Sequence, residues 1–302
     1  EINEGYRALI ELLCGMDPDV AMEIANSIWY RQGFDVLQSF IDTMLAYFDA
    51  VVEPVDFTDP GTVDRINAWV ADKTHDKITE ILKSTNADMV MVLINAIYFK
   101  GTWTFQFDPE ETADAAFHAP AGDKTVEMMH LKGDLRHLWT EDFEAVDLPY
   151  GNELLSITLF LPAQDKDVDD IVALLNDENW SGWMGSFSEE ETDLYLPRFE
   201  LEYENSLVEE LIAMGMQDAF DPAGADFSGI KPDHQMSITE VKHKTYVKVN
   251  EEGTEAAAVT AVVVSDSAPP SLRFDRPFLF VIHDAHSKAM IFMGKIVDPP
   301  SI

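Results

Sequence analysis

Apolar residues recur at three- and four-residue spacing through the first third of the chain. Leu9, Leu12 and Leu13 form one stripe, and Leu37, Phe40, Ile41, Met44, Leu45 and Phe48 form a second. Val63, Ile66, Trp69, Val70, Ile78 and Leu82 form a third along residues 62–82. This spacing predicts three amphipathic helices. Between the first two, β-branched and aromatic residues over 20–30 predict a strand. Residues 88–99 are almost continuously apolar, the pattern of a strand buried on both faces. Further strand-like runs fall at 154–161, 193–199, 245–249, 278–283 and 289–297, with short helices near 168–175 and 206–214. The sum is a mixed α+β chain with large sheets, without an internal repeat, a low-complexity linker or an obvious domain boundary.

One stretch breaks the usual grammar. Residues 253–270 read Gly-Thr-Glu-Ala-Ala-Ala-Val-Thr-Ala-Val-Val-Val-Ser-Asp-Ser-Ala-Pro-Pro. From Ala256 to Val264 there is no charge, glycine or proline, yet a glycine opens the segment and two prolines close it, as in an exposed loop. An uncharged β-prone run in a loop is an aggregation hazard. Alternation puts Thr254, Ala256, Ala258, Thr260, Val262 and Val264 on one face, all small or β-branched. Two readings stay open: an ordinary core strand, which periodicity alone favours, or a loop that must be able to become a strand.

The charge narrows the partners. The 302 residues carry 56 Asp and Glu against 20 Lys and Arg, a formal net charge of −36. Such a surface repels nucleic-acid backbones and anionic membranes and fits solubility or salt tolerance. The single cysteine, Cys14, excludes an internal disulfide and a multi-cysteine metal site, and its sequence neighbours predict a packed thiol. No apolar run reaches the roughly 18 residues of a membrane span. The opening Glu1-Ile2-Asn3-Glu4 carries no signal-like segment, so the compartment is not read from it.

Several long motifs, in order, resemble the serpin family across essentially the whole chain. These are Asn95-Ala96-Ile97-Tyr98-Phe99-Lys100-Gly101-Thr102-Trp103 with Phe107-Asp108-Pro109, Val249-Asn250-Glu251-Glu252-Gly253-Thr254-Glu255-Ala256-Ala257-Ala258, Phe274-Asp275-Arg276-Pro277-Phe278, and Phe292-Met293-Gly294-Lys295-Ile296-Val297-Asp298-Pro299. Asn67-Ala68-Trp69-Val70 with Lys73-Thr74, and Ala225-Asp226-Phe227-Ser228-Gly229, agree in order and spacing. The resemblance implies the serpin fold, with a large central β-sheet, smaller sheets, packed helices and an exposed reactive-centre loop. It makes 1–302 a single serpin domain, with 251–273 as hinge and loop. Serpins normally begin with further helices and a core strand, so the expectation is a fragment whose missing elements leave apolar surface bare.

The implied activity is suicide inhibition of serine, or cysteine, proteases. The protease nucleophile attacks the loop, forms an acyl-enzyme, and is carried off as the freed loop inserts into the central sheet. In that scheme Gly253, Thr254, Glu255, Ala256, Ala257 and Ala258 are the hinge. Glu251 and Arg198 clamp the insertion entry, with Trp103 packed beneath it, and Asn95 and His243 are the polar pair where the strands part. The scissile bond is counted to Ser267–Ala268, or to Asp266–Ser267 if the loop's apparent one-residue shortening precedes it. Ser267 and the upstream valines favour an elastase- or subtilisin-like protease, an acidic site a caspase- or granzyme-like one.

The family implies a monomer outside the cell. No cofactor, metal, nucleic acid, membrane or heparin partner is expected, since the first helix carries Arg7 rather than a basic stripe. The alternative is a non-inhibitory serpin-fold carrier or chaperone, whose hinges commonly carry prolines or charges. A hydrolase is disfavoured because no Gly-x-Ser-x-Gly or His-Glu-x-x-His motif occurs. Asp165-Lys166-Asp167-Val168-Asp169 mimics the start of a calcium loop but lacks its glycine and closing acid, and reads as a solvated acidic turn. His130 and His137 read as surface residues.

Overall fold

The computed structural model describes residues 1–232, 236–253 and 271–300. In chain order the elements are α1 (Ile2–Gly15), β1 (Val20–Arg31), α2 (Gln38–Phe48), β2 (Val51–Val55), α3 (Gly61–Lys73), β3 (Met91–Gly101), β4 (Ala113–Ala119), β5 (Gly122–Trp139), β6 (Phe143–Tyr150), β7 (Leu155–Pro162), α4 (Val168–Leu174), α5 (Asp177–Ser186), β8 (Ser188–Pro197), β9 (Phe199–Ser206), α6 (Val208–Ala213), β10 (Val241–Val249), β11 (Ser271–Arg273), β12 (Phe278–Asp284) and β13 (Met290–Ile296). They group into two compact units, one built of 1–15, 22–99 and 202–247, the other of 16–21, 100–201 and 248–302.

The first unit holds a five-stranded sheet in the order β2-β1-β3-β10-β9. β3 and β10 run parallel, with Leu93 opposite Val241, Asn95 opposite His243 and Tyr98 opposite Tyr246. Burial alternates along β3 rather than covering both faces, so the continuous apolar run over 88–99 overstates its cover. Its buried set, Val92, Ile94, Ala96 and Tyr98, packs with Ile66 and Val70 of α3 and with Ile78, Ile81 and Leu82.

The third apolar stripe is helical only to Lys73. His75 and Asp76 then take positive φ, which breaks the helix. The Thr74 hydroxyl donates to Val70 O and accepts from Ile78 N. The side-chain oxygen of Asn67 accepts from the backbone N–H groups of Ile81 and Leu82, both at 3.0 Å, and its amide donates to Leu82 O. The 78–82 run therefore keeps the burial its periodicity demands without the helix.

The expectation for α1 fails in one respect. No residue of α1 is buried, and Ile2, Tyr6, Leu9 and Leu12 stand 47–77 % exposed. Cys14 is exposed, not packed, and α1 meets α2 at the Tyr6 and Phe48 rings, whose centroids lie 5.6 Å apart.

The second unit holds an eight-stranded sheet in the order β11-β8-β5-β6-β7-β12-β13, with β4 paired to β5. β7 is buried at every position, the polar Ser156 and Thr158 included. α4 and α5 pack Val168, Ile171, Trp180 and Met184 against Phe143, Phe160 and Val281. The acidic turn before α4 has a structural use. Asp167 accepts from the N–H groups of Asp169 and Asp170, and Asp170 accepts from Asp167 N, a reciprocal cap.

Candidate functional site: two polar clusters and the root of a loop

Asn95 and His243 lie in the first unit as register partners on β3 and β10. His243 Nδ1 donates to Asn95 Oδ1 at 2.9 Å, and Asn95 Nδ2 donates to Asn26 Oδ1 at 3.0 Å. Asn26, on β1, passes the chain on to Phe48 O at 3.1 Å. Three neighbouring strands, β1, β3 and β10, are thus joined by side-chain hydrogen bonds across the sheet. Desolvation pushes the His243 pKa below its ordinary value, and the Asn95 oxygen facing Nδ1 places the proton of the neutral ring on that nitrogen. Sequence reasoning missed Asn26. The signal was available, since an asparagine inside the apolar strand over 20–30 needs a partner as Asn95 does.

Glu251, Arg198 and Trp103 meet in the second unit. Arg198 follows β8, where Pro197 ends the strand, and its backbone N–H is held by Glu127 O on β5. Its Nε donates to both Glu251 oxygens, at 2.8 and 2.9 Å, and its Nη2 lies 2.7 Å from Oε1. The other guanidinium nitrogen, Nη1, donates to Glu127, and the Thr112 hydroxyl donates to Glu251. Glu251 is 3 % exposed, so this is a buried carboxylate with a forked cation and a hydroxyl. Burial alone would raise its pKa. The hydrogen bonds from Arg198 and Thr112 outweigh that and hold the carboxyl below its ordinary range.

Trp103 lies beneath the same turn. Its indole N–H donates to Asn250 O at 2.8 Å, and its ring stacks on Tyr150 at 4.5 Å and 10°. Trp103 N donates to Glu252 O, and Phe107 N to Glu251 O. Thr112, Glu127 and Tyr150 were not read from the sequence. Thr112 follows the Phe107-Asp108-Pro109 motif closely, but Glu127 and Tyr150 arrive from other strands by register alone.

Gly253 ends the described part of this region. Its φ is +102°, and a Cβ there would lie 2.8 Å from Thr102 Cα and closer still to Gly101 O. Only glycine fits both the conformation and the space. The remaining hinge positions, Thr254, Glu255, Ala256, Ala257 and Ala258, and both scissile-bond assignments over Asp266, Ser267 and Ala268, lie outside the described residues. The chain resumes as β11, parallel to β8.

His130 and His137 are not simple surface residues. His137 is 7 % exposed between Glu144 and Glu190, and His130 bridges Glu111 and Asp193. Among the described residues no group of three His, Cys, Asp or Glu side chains is placed to hold a metal ion.

Comparison with known proteins agrees with this architecture. Residues 1–299 match the family described as Serpin (serine protease inhibitor). Ipis-1 of Ixodes persulcatus is 36% identical over 98% of this chain and 82% of its own length. Human Serpin B8 is 34% identical, over 99% and 83%. Among solved structures, native Tengpin, a thermophilic serpin, superposes with a TM-score of 0.83 at 30% identity, covering 93% of this chain and 74% of its own. Human thyroxine-binding globulin, solved with its thyroid-hormone ligand, reaches 0.89 at 26%, covering 99% and 81%.

Proposed function

The chain belongs to the serpin family, and from that premise and the chemistry of the loop root we propose that it is a suicide-substrate inhibitor of serine proteases. It acts as bait rather than catalyst. The protease hydroxyl attacks a loop carbonyl, the bond to the following nitrogen breaks, and that amine leaves with a proton from the protease's own base. The freed segment then enters the five-stranded sheet between β3 and β10, carrying the acyl-enzyme with it.

The observation that carries this reading is the sequence leaving Gly253. Gly253 turns the chain with a conformation that other residues resist, and the run from Ala256 to Val264 is uncharged, proline-free and β-prone. Such a segment meets little steric or desolvation cost on becoming a strand. A carrier of the kind represented by thyroxine-binding globulin has no need of that pattern. The His243–Asn95 hydrogen bond would have to part for insertion between β3 and β10, and Glu251 with Arg198 would clamp its entry.

The target is an elastase- or subtilisin-like protease cleaving at Ser267–Ala268; with the loop shortened before the bond, the cut moves to Asp266–Ser267, whose acidic residue favours a caspase- or granzyme-like enzyme instead. The inhibitor works as a monomer in a covalent acyl complex. Mixing the protein with elastase and with subtilisin, followed by a denaturing gel and intact mass, tests all of this. A covalent band and a released C-terminal fragment beginning at Ala268 or Ser267 are expected. Clean cleavage without such a band would refute inhibition by trapping.

A further inference from the structure

Where the chain resumes after the loop, three side chains from three adjacent strands form a row. Arg273 of β11 and His130 of β5 are both register partners of Tyr195 on the intervening β8. The Arg273 guanidinium carbon lies 3.8 Å from the Tyr195 ring centroid, and the His130 ring stacks on Tyr195 at 4.7 Å and 15°. Leu272 and Phe274 are buried on either side of Arg273, so the alternation of β11 turns the arginine to the opposite face.

The nearby acids are already engaged. His130 Nδ1 contacts Glu111 at 2.7 Å, and its Nε2 contacts Asp193, the β8 residue opposite Ser271. Asp193 also accepts from the Tyr195 hydroxyl at 3.4 Å. Arg276 pairs with Asp275, and Arg198 with Glu251 and Glu127. Among the described residues no carboxylate lies within ion-pair distance of Arg273. In a chain with 56 acidic residues, Arg273 is spread on an aromatic face with no carboxylate partner among the described residues.

We propose that Arg273 is a specificity-determining contact for the attacking protease, placed to meet a carboxylate on the rim of that enzyme's cleft beyond the scissile bond. The inference rests on the inhibitory reading above for the identity of the partner. Arg273 follows the proposed bond by five or six residues, a span of at most about 20 Å, so a protease seated on the loop covers this face. The Tyr195 ring holds the guanidinium in place, which lowers the ordering cost of a new ion pair, and planar guanidinium suits a carboxylate edge-on. A rim charge of this kind acts on the association rate and its salt dependence. It gives a strongly acidic inhibitor local attraction for an enzyme carrying an acidic rim.

The test compares the second-order rate of loop attack, counting cleavage and complex together, for the wild type, R273K, R273A and R273E. Elastase and subtilisin are each used at about 20 mM and about 0.5 M NaCl, with a synthetic peptide of residues 254–270 as a substrate lacking the arginine. With at least one enzyme, R273A is expected to slow attack about two- to fivefold at low salt, the fold-change equivalent of an exposed ion pair. R273E should slow it further and R273K less than R273A. The differences should shrink at high salt, while peptide cleavage ranks the two enzymes without this effect. Equal rates for all variants with both enzymes would overturn the proposal. So would a slowing that persists at high salt together with a lowered melting temperature, which would make Arg273 a fastener of β11. If the loop is cut without covalent trapping, the inhibitory reading fails, yet the rate comparison still decides the role of Arg273.

Discussion

At the scale of single residues, the Glu251 cluster shows how burial changes the value of an ion pair. An exposed Glu–Arg pair is worth under about 1 kcal/mol, but Glu251 is 3 % exposed and depends on Arg198 and Thr112 for its charge. Arg198→Ala should therefore cost about 3 kcal/mol or more in urea unfolding, whereas Glu127→Gln, which removes a half-exposed partner of the same arginine, should cost under about 1 kcal/mol. Equal losses would mean that the two carboxylates share the arginine evenly. The histidines supply a second test, with opposite signs. The hydrogen bond that His137 donates to Glu144 holds its pKa above the ordinary 6.5 against desolvation, so its contribution is full below that value and fades as pH rises through the folded pKa. Desolvation holds His243 below 6.5, so its contribution is present above 6.5 and fades as pH falls. Relative to wild type, H137Q should cost more at about pH 5.5 than at about pH 8, and H243Q the reverse, read from urea midpoints. Differences that do not change with pH would remove both histidines from the pH response. Asn95, Trp103 and Glu251 stand inside the long ordered motifs, whereas Arg198 and His243 lie outside them and were placed by matching position to the family. Glu127 and Tyr150 were not legible, because a β-strand's register brings them in and no local spacing encodes it.

At the scale of elements, apolar periodicity located most helices and strands, but it failed where burial and secondary structure come apart. The stripe over 62–82 promised one helix, and hydrogen bonds to the side chains of Asn67 and Thr74 let Ile78, Ile81 and Leu82 stay buried on non-helical chain. The α1 stripe promised a buried face that the described structure leaves open. β5 escaped notice since His130, Lys132, Asp134 and Arg136 interrupt it, each facing a partner on β8. The turn at Gly253 is the element on which the proposed mechanism depends most. Gly253→Ala places a methyl against Thr102 and Gly101 in a left-handed conformation, and should lower stability by more than about 1 kcal/mol in thermal melts. An unchanged melting temperature would show that the turn relaxes freely. Thr254→Arg tests the next step, because a charge at the leading position must be buried without a partner as the segment enters the sheet. Loop cleavage by elastase or subtilisin should proceed at the wild-type rate while the covalent complex disappears. A variant that still traps its protease would rule out insertion as the cause of trapping.

At the scale of the whole molecule, charge is the dominant quantity. With 20 basic residues for 56 acidic ones, even complete pairing would leave a net charge of −36. Many of the pairs are exposed, as with Arg65–Glu53, Lys248–Glu200 and Lys295–Asp169, and each such pair contributes a few tenths of a kcal/mol that salt removes. Against this stands the mutual repulsion of 56 acids that far outnumber the cations, crowded for example at the consecutive Glu189, Glu190 and Glu191 near the start of β8. Salt thus acts in two directions, weakening the pairs and relieving the repulsion, and the numerical excess of acids decides the sign. Moving from about 10 mM to about 1 M salt shortens the screening length from about 30 Å to about 3 Å, which removes most long-range repulsion and leaves buried pairs such as Arg198–Glu251 largely intact. The melting temperature of the intact protein should accordingly rise across that range, with similar increments for NaCl and KCl, since screening does not distinguish the two cations. A loop-cleaved sample measured in parallel should melt higher at every salt concentration if the loop has entered the sheet as a new strand, while keeping the same upward slope, because cleavage leaves the surface acids where they are. A melting temperature that falls with salt would show that the exposed ion pairs, not the excess of acids, govern stability.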